Sequence, residues 1–397
     1  MLIDRVKRFI RILVFLIELG TAHVVAWCLK VFNSKYRNVW IISERGDDAR
    51  DNGYFFFSFL RRCHSEIDVF FIIREESPDS IRVKEFGNWI EYGSFKHYIY
   101  YCLATIRISS SMWGGDLPKA DYFFKLRKYM SHKKMFVFLK HGIVKDFLPQ
   151  HCVSYGSPDL YICGAKPEFN YVRASFGHPR DNVVYTGLAR FDNLHGKKTK
   201  KQILVMPTFR RWLQGKKEEE IACSDYVKTY NWFLNSERLH SVLEHYGIDL
   251  VFYPHYVMQK NIGLFTSECP KIKIAKFKEY DVQTLLIESN LLVTDFSSVF
   301  FDFAYMEKPV IYFQFDKEKY IREHYDFTKG YFSYERDGFG PVVYSTEDLL
   351  NTLTELIETE MEIGNPYKER INRFFPLHDK NNCQRIYEEI LRKKKSE

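Results

Sequence analysis

Short apolar runs bounded by turn residues recur along the chain. They lie at Val39–Ser43, Val69–Ile73, Trp89–Ser94, Ile106–Ser110, Met135–Leu139 and Leu160–Gly164. A second series covers Gln202–Met206, Asp249–Tyr253, Ile272–Ala275, Leu291–Thr294 and Val310–Phe313. Continuous runs of this length predict strands buried on both faces. Stretches with apolar residues at helical spacing separate them, among them Tyr54–Arg61, Val299–Glu307 and a charged amphipathic stretch over Asp379–Lys395. Asp281 starts one such stretch, and Ser345 or Thr346 caps another. Strands alternating with helices predict an α/β fold with parallel sheets covered on both faces. The polar, basic segment His195–Lys201 suits a domain boundary. The expected division is 1–35 as an N-terminal helix, 36–195 as one Rossmann-like domain and 196–397 as a second.

The first segment has its own pattern. Arg5, Lys7, Arg8 and Arg11 precede an apolar run, Ile12–Leu29, which Glu18 and His23 interrupt. No small-residue cleavage site follows, since Lys30-Val31-Phe32 comes next. A spanning helix needs roughly 20 apolar residues, and a central glutamate costs about 2–3 kcal/mol there. A basic amphipathic helix lying on the inner membrane surface is the preferred expectation. A helix packed on the protein body and a spanning helix remain open.

Composition adds three points. At 46% hydrophobic and 17% aromatic over 397 residues, the chain can build full cores for two or three domains. Its eight cysteines contain no Cys-x-x-Cys pair, which argues against a zinc site or a disulfide framework. The net charge of +7 is spread over clusters such as Lys7-Arg8-Arg11, Lys133-Lys134, Lys197–Lys201 and Arg392–Lys395. No nucleic-acid-binding motif accompanies them. The balance suits an anionic membrane surface or a phosphorylated substrate, beside the plain reading of a solvated lysine face.

Candidate chemistry gathers where strands end. After Leu291–Thr294 the chain reads Asp295-Phe296-Ser297-Ser298-Val299-Phe300-Phe301-Asp302-Phe303-Ala304. A strand, a tight turn and a helix N-terminus capped by Ser297 or Ser298 suit a phosphate or pyrophosphate. The plain alternative is an ordinary βαβ unit with a serine cap. His141-Gly142 follows the Met135–Leu139 run, at a strand end where open α/β sheets bind ligands. A cap histidine beside a turn glycine would look the same.

The string from Thr294 to Ala304 resembles the signature of the CDP-glycerol glycerophosphotransferases, the teichoic acid primase and polymerase family, with Phe296 where that family usually has Tyr. Further segments are similar to it. Lys140-His141-Gly142-Ile143 stands where the family often has Trp-His-Gly-Thr. Thr186-Gly187-Leu188-Ala189-Arg190-Phe191-Asp192 matches a Thr-Gly-x-x-Arg-x-Asp segment. Pro207-Thr208-Phe209-Arg210 matches a Pro-Thr-Phe-Arg, and Pro254-His255 stands for Leu-His-Pro. Gly340-Pro341 and the group Asp379, Asn381, Asn382 and Arg385 match further downstream, beyond the turn-like Glu323-His324-Tyr325.

The resemblance implies a GT-B architecture of two Rossmann-like domains facing a cleft. CDP-glycerol would bind the C-terminal domain, and a lipid-linked glycan or polyol-phosphate acceptor would approach from the N-terminal one. In this reading Ser297 and Ser298 hold the pyrophosphate, Thr294 lies beside them, and Arg210 and Arg190 offset its charge. Arg190 alternatively pairs with Asp192. Thr208 and Arg210 would face the cleft. Asp295 orients a serine or contacts the glycerol, and Asp302, one helical turn below Ser298, is read equally well as structural. His255 hydrogen-bonds a phosphate oxygen or assists departure of CMP, and His141 takes the proton of the attacking hydroxyl. Imidazole suits that role because its ordinary pKa of about 6.5 lies near working pH. No resident cofactor or metal site is implied, though the diphosphate can bring Mg²⁺ with it. The expected place is the cytoplasmic face of the cell membrane, peripherally bound, with no nucleic-acid partner. A CDP-ribitol enzyme, a GT-B glycosyltransferase using a nucleotide sugar and a non-catalytic membrane-surface scaffold are the other readings.

Overall fold

The structure, a computed structural model, describes residues 2–112, 134–277, 279–324 and 330–396, without the side chains of residues 2–5 and Arg8. Lys133 and Tyr325 lie outside the described residues. The chain divides into two compact units. The first comprises Met1–His141, Pro149–Asn193 and Asp379–Glu397, and the second Gly142–Leu148 and Leu194–His378.

The first unit is built on a seven-stranded sheet. Its strands are β1 (Val39–Ser43), β2 (Asp68–Ile73), β3 (Trp89–Glu91), β4 (Ala104–Ser109), β5 (Met135–Phe138), β6 (Leu160–Cys163) and β7 (Val183–Tyr185). Their order is β3-β2-β1-β4-β5-β6-β7, and every pairing is parallel. The sheet reverses its winding between β1 and β4, which marks a topological switch point. One face is covered by the helix Asn52–Cys63, through Phe56, Phe57 and Leu60, and by the helix Asn382–Lys395, through Cys383, Ile386 and Ile390. The tail expected with residues 196–397 therefore packs in the first unit, because its apolar stripe completes the core around Trp40 and Ile42.

The other face carries the helices Phe95–Leu103 and Leu2–Phe32. The long helix seats Phe15, Leu19, Ala22, Ala26 and Leu29 on this layer. Their alternating steps of four and three residues make one stripe. Its remaining sides are also apolar: Phe9 is 67% exposed and Trp27 62%. By length and composition alone, Phe9–Phe32 is also apolar enough to cross a membrane.

The second unit has a six-stranded parallel sheet of β8 (Gln202–Val205), β9 (Asp249–Phe252), β10 (Ile272–Ile274), β11 (Leu291–Thr294), β12 (Val310–Phe313) and β13 (Val342–Val343). The order β10-β9-β8-β11-β12-β13 places its switch point between β8 and β11. The helices Asp225–Leu234, Glu237–Tyr246 and Thr346–Glu358 cover one face through Tyr230, Phe233, Leu239, Leu243, Leu349 and Leu353. Ser345 accepts from Asp348 N at 3.1 Å as the cap of the last of these.

Candidate active site

In the first unit, the polar loop after β1 and the end of β5 meet beside the switch point. Glu44 is buried, and its carboxylate accepts from Arg50 N at 3.0 Å, Asp51 N at 2.9 Å and Tyr54 N at 2.9 Å. This folds the loop back on itself and sets Asp51 as N-cap of the helix Asn52–Cys63. Burial, and then the charge of Asp51, push the Glu44 carboxyl up to about 8. A side chain at Gly53 would press on Glu44, since a Cβ there lies 2.9 Å from Glu44 Cγ.

His141 is exposed, and its Nδ1 is hydrogen-bonded to Asp51 Oδ2 at 2.6 Å. Arg45 Nε donates to His141 Nε2 at 3.3 Å. Arg190 Nη1 donates to the other Asp51 oxygen at 2.8 Å and also to the His141 carbonyl. Burial pushes the Asp51 carboxyl up, but Arg190 and the bond to His141 outweigh it and hold it below the ordinary carboxylate value. Arg190 Nη1 is thus taken up by Asp51 and the His141 carbonyl. Asp192 instead caps the helix Asn382–Lys395, accepting from Asn382 N at 2.9 Å and Cys383 N at 2.8 Å.

The Thr-Gly-x-x-Arg-x-Asp segment thus joins the His141 loop to the helix Asn382–Lys395. At Gly187, with φ +82°, a Cβ would sit 1.7 Å from Asn382 Oδ1, so only glycine fits. Arg385 Nε donates to the Thr186 carbonyl at 2.8 Å, and its Nη atoms hold Asp379 at 2.9 Å.

The second unit gathers the remaining candidates around a buried arginine. Arg210 is 0% exposed. Its Nε and Nη2 fork onto Asp316 at 2.7 and 2.9 Å, and its Nη1 reaches Asp295 Oδ2 at 2.8 Å and the Thr208 carbonyl at 2.7 Å. Burial works against this charge, but Asp295 and Asp316 outweigh it and hold the guanidinium well above its usual pKa. Tyr226, Tyr320 and Phe296 surround it, their ring centres 5.0, 5.2 and 5.6 Å from Cζ.

The expectation that Arg210 and Thr208 face a cleft is corrected here. Arg210 ties the carboxyl ends of β8, β11 and β12 to one another. Thr208 is 7% exposed, and its Oγ1 has no hydrogen-bond partner among the described residues. Asp295 neither orients a serine nor stands open to glycerol. It is 0% exposed and accepts from Thr208 N at 2.9 Å and Phe296 N at 2.6 Å. Thr294 Oγ1 is turned inward onto the Met206 carbonyl at 2.7 Å.

The two serines lie at the tip of this assembly, Ser298 exposed and Ser297 half-buried. Neither caps the helix, contrary to expectation. The helix spans Phe300–Tyr305, with Val299 in the cap position making no side-chain bond. The serines belong instead to the turn between β11 and that helix, where Phe301 N donates to the Ser298 carbonyl at 3.2 Å.

His255 leads into the helical turn Tyr256–Leu264, its Nδ1 accepting from Val257 N at 3.3 Å and its ring 4.8 Å from that of Phe209. His324, which sequence reasoning left unassigned, packs on Phe209 and Tyr320 at 4.9 and 4.2 Å. Its Nδ1 accepts from Arg211 N at 3.2 Å. Burial, and then the nearby Arg210, push its pKa down to about 4.

Two doubly wound units, each with polar residues at the strand ends flanking its switch point, define a GT-B-like fold. The solved structure of the wall teichoic acid polymerase TagF shares it, with a TM-score of 0.66 and 17% identity over 98% of this chain and 97% of that one. Residues 23–392 match the family CDP-Glycerol:Poly(glycerophosphate) glycerophosphotransferase, and the chain belongs to that family. It is 31% identical over 385 residues, 93% of its length, to the minor teichoic acid biosynthesis protein GgaB of Bacillus subtilis (strain 168). It is also 31% identical over 217 residues, 54% of its length, to the teichoic acid poly(glycerol phosphate) polymerase of the same organism. The chain spans 41% of the first of these relatives and 26% of the second.

Proposed function

We propose that this chain moves glycerol phosphate from CDP-glycerol to a hydroxyl of a membrane-linked teichoic acid or capsular polysaccharide acceptor and releases CMP. The family match over residues 23–392, which runs through both units, carries this reading. The acceptor hydroxyl gives its proton to His141 Nε2, and its oxygen attacks the phosphorus bonded to glycerol. The new P–O bond forms as the bond to the CMP oxygen breaks, and CMP leaves with that electron pair. Catalysis of this kind rests on positioning and charge stabilisation. The turn at Ser297 and Ser298 offers hydroxyls and N–H groups to the diphosphate. His255 donates to a phosphate oxygen and assists departure of CMP. Arg210 acts indirectly, by holding Thr208 and Asp295 in place under that turn. The reading includes no resident cofactor, and any Mg²⁺ arrives on the diphosphate. The exposed apolar sides of Leu2–Phe32, with Lys7 and Arg11, support a place on the cytoplasmic face of the membrane.

The test is nucleotide release from CDP-glycerol, CDP-ribitol and UDP-glucose, with a short glycerol-phosphate chain on a farnesyl anchor as acceptor. CMP release from CDP-glycerol is expected, and preference for either other donor sinks the assignment. His141→Ala should abolish release while CDP-glycerol still binds, as measured by calorimetry. Turnover in that variant removes His141 as the base.

A further inference from the structure

We propose that Asp51 is the positioning residue that makes His141 a base, and that Arg190 holds Asp51 in that role. The proposal rests on the reading of His141 as the proton acceptor. Each oxygen of Asp51 has its own work. Oδ2 lies 2.6 Å from His141 Nδ1, while Oδ1 accepts from Arg190 Nη1 and from Asn52 N, both at 2.8 Å. Across the ring, Arg45 Nε donates to Nε2 at 3.3 Å. A guanidinium only donates, so Nε2 is the acceptor nitrogen and the neutral ring carries its proton on Nδ1, directed at Asp51.

A base at Nε2 needs this tautomer. The lone pair lies on the side of a ring that is 42% exposed, and the carboxylate stabilises the imidazolium that forms when the proton arrives. An incoming hydroxyl takes the place of Arg45 at Nε2.

The backbone beneath is held just as tightly. Asn52 Nδ2 donates to the Lys140 carbonyl at 2.8 Å, and Asn52 Oδ1 accepts from Arg190 N at 3.1 Å. Lys140, next to His141, is a non-glycine residue at φ +61°. It is kept there by a buried ion pair with Glu168, whose other oxygen accepts from Gly164 N at 2.7 Å. A left-handed non-glycine residue persists only where its surroundings over-determine it.

Asp51→Asn separates the positioning role from a merely structural one. Asparagine caps a helix as well as aspartate does, so the helix Asn52–Cys63 keeps its start. Its amide, however, donates to His141 Nδ1, which drives the proton to Nε2 and removes the lone pair. The expected result is a kcat for CMP release lowered about 10²–10⁴-fold, with KM for CDP-glycerol unchanged. Asp51→Glu, which restores a carboxylate, should recover part of the loss.

A second readout needs no substrate. Nitrogen-15 NMR of histidine-labelled full-length chain, assigned with His141→Ala, should show the Nδ1–H tautomer in the parent and the Nε2–H tautomer in Asp51→Asn. Near-parental kcat in Asp51→Asn while His141→Ala is inactive would overturn the proposal, as would an Nε2–H tautomer in the parent. Turnover by His141→Ala would instead overturn the underlying reading of the base, and the positioning role with it.

Discussion

At the residue scale, the charged side chains of the two units do more holding than exposing. Arg210 is the clearest case, with one guanidinium set between two carboxylates and all three at most 10% exposed. Removing one member of such a group leaves charge buried without compensation, which costs about 3–5 kcal/mol. Arg210→Met should therefore lower the stability of the second unit by that order in urea unfolding, and weaken CDP-glycerol binding along with it. A midpoint unchanged from the parent would show that Asp295 and Asp316 find other partners. His141, His255 and both serines were legible in the sequence because each stands in a compact motif at a strand end. Asp51 was not, since it stands 90 positions from His141 in the loop after β1. Arg210 and Arg190 were legible as residues but not in their roles. Their partners Asp316 and Asp51 lie 106 and 139 positions away.

At the scale of elements, periodicity located eleven of the thirteen strands among the described residues, because strands buried on both faces read as unbroken apolar runs, whereas the three-residue β7 was not read as a strand and the two-residue β13 was placed by resemblance. Caps with a local partner were equally readable. Asp281, for instance, accepts from Thr284 N at 3.0 Å at the start of the helix Val282–Glu288. The helix of the signature was not readable at its start. Asp295 takes the Phe296 N–H, and the chain turns before the first helical residue at Phe300. The end of the helix Val282–Glu288 is closed from a distance. Lys308 Nζ donates to the carbonyls of Leu286, Ile287 and Ser289 at 3.0, 2.5 and 2.8 Å. Burial brings the pKa of that ammonium down to about 8. Lys308→Met keeps the aliphatic stem but strands the carbonyls, at a cost of about 1–3 kcal/mol. Hydrogen exchange should show this helix loosened ahead of the rest of the second unit, and unchanged protection at Ser289 would contradict the role.

At the scale of the whole molecule, the chain that closes the second unit returns to finish the first. Asp379–Glu397 brings Ile386 and Ile390 into the core beside Trp40, and Asp192 caps the returning helix. The helix Leu2–Phe32 has a stripe for the protein and a larger apolar surface beyond it. If that surface meets lipid, the chain should co-sediment with vesicles, more strongly when they carry anionic lipid. Phe9→Asp with Trp27→Asp should abolish this without disturbing Phe15, Ala22 or Ala26, and full retention in the double variant would exclude the helix as the anchor. Periodicity determined the strands and the order of helix and strand, because burial imposes its pattern on neighbouring residues. Local motif chemistry marked the histidines and the serine turn for the same reason. Which carboxylate each arginine neutralises, which unit the last helix completes and which nitrogen of His141 meets Asp51 were decided only by the fold. Those facts depend on groups far apart in the chain, and only tertiary packing brings them within hydrogen-bond distance.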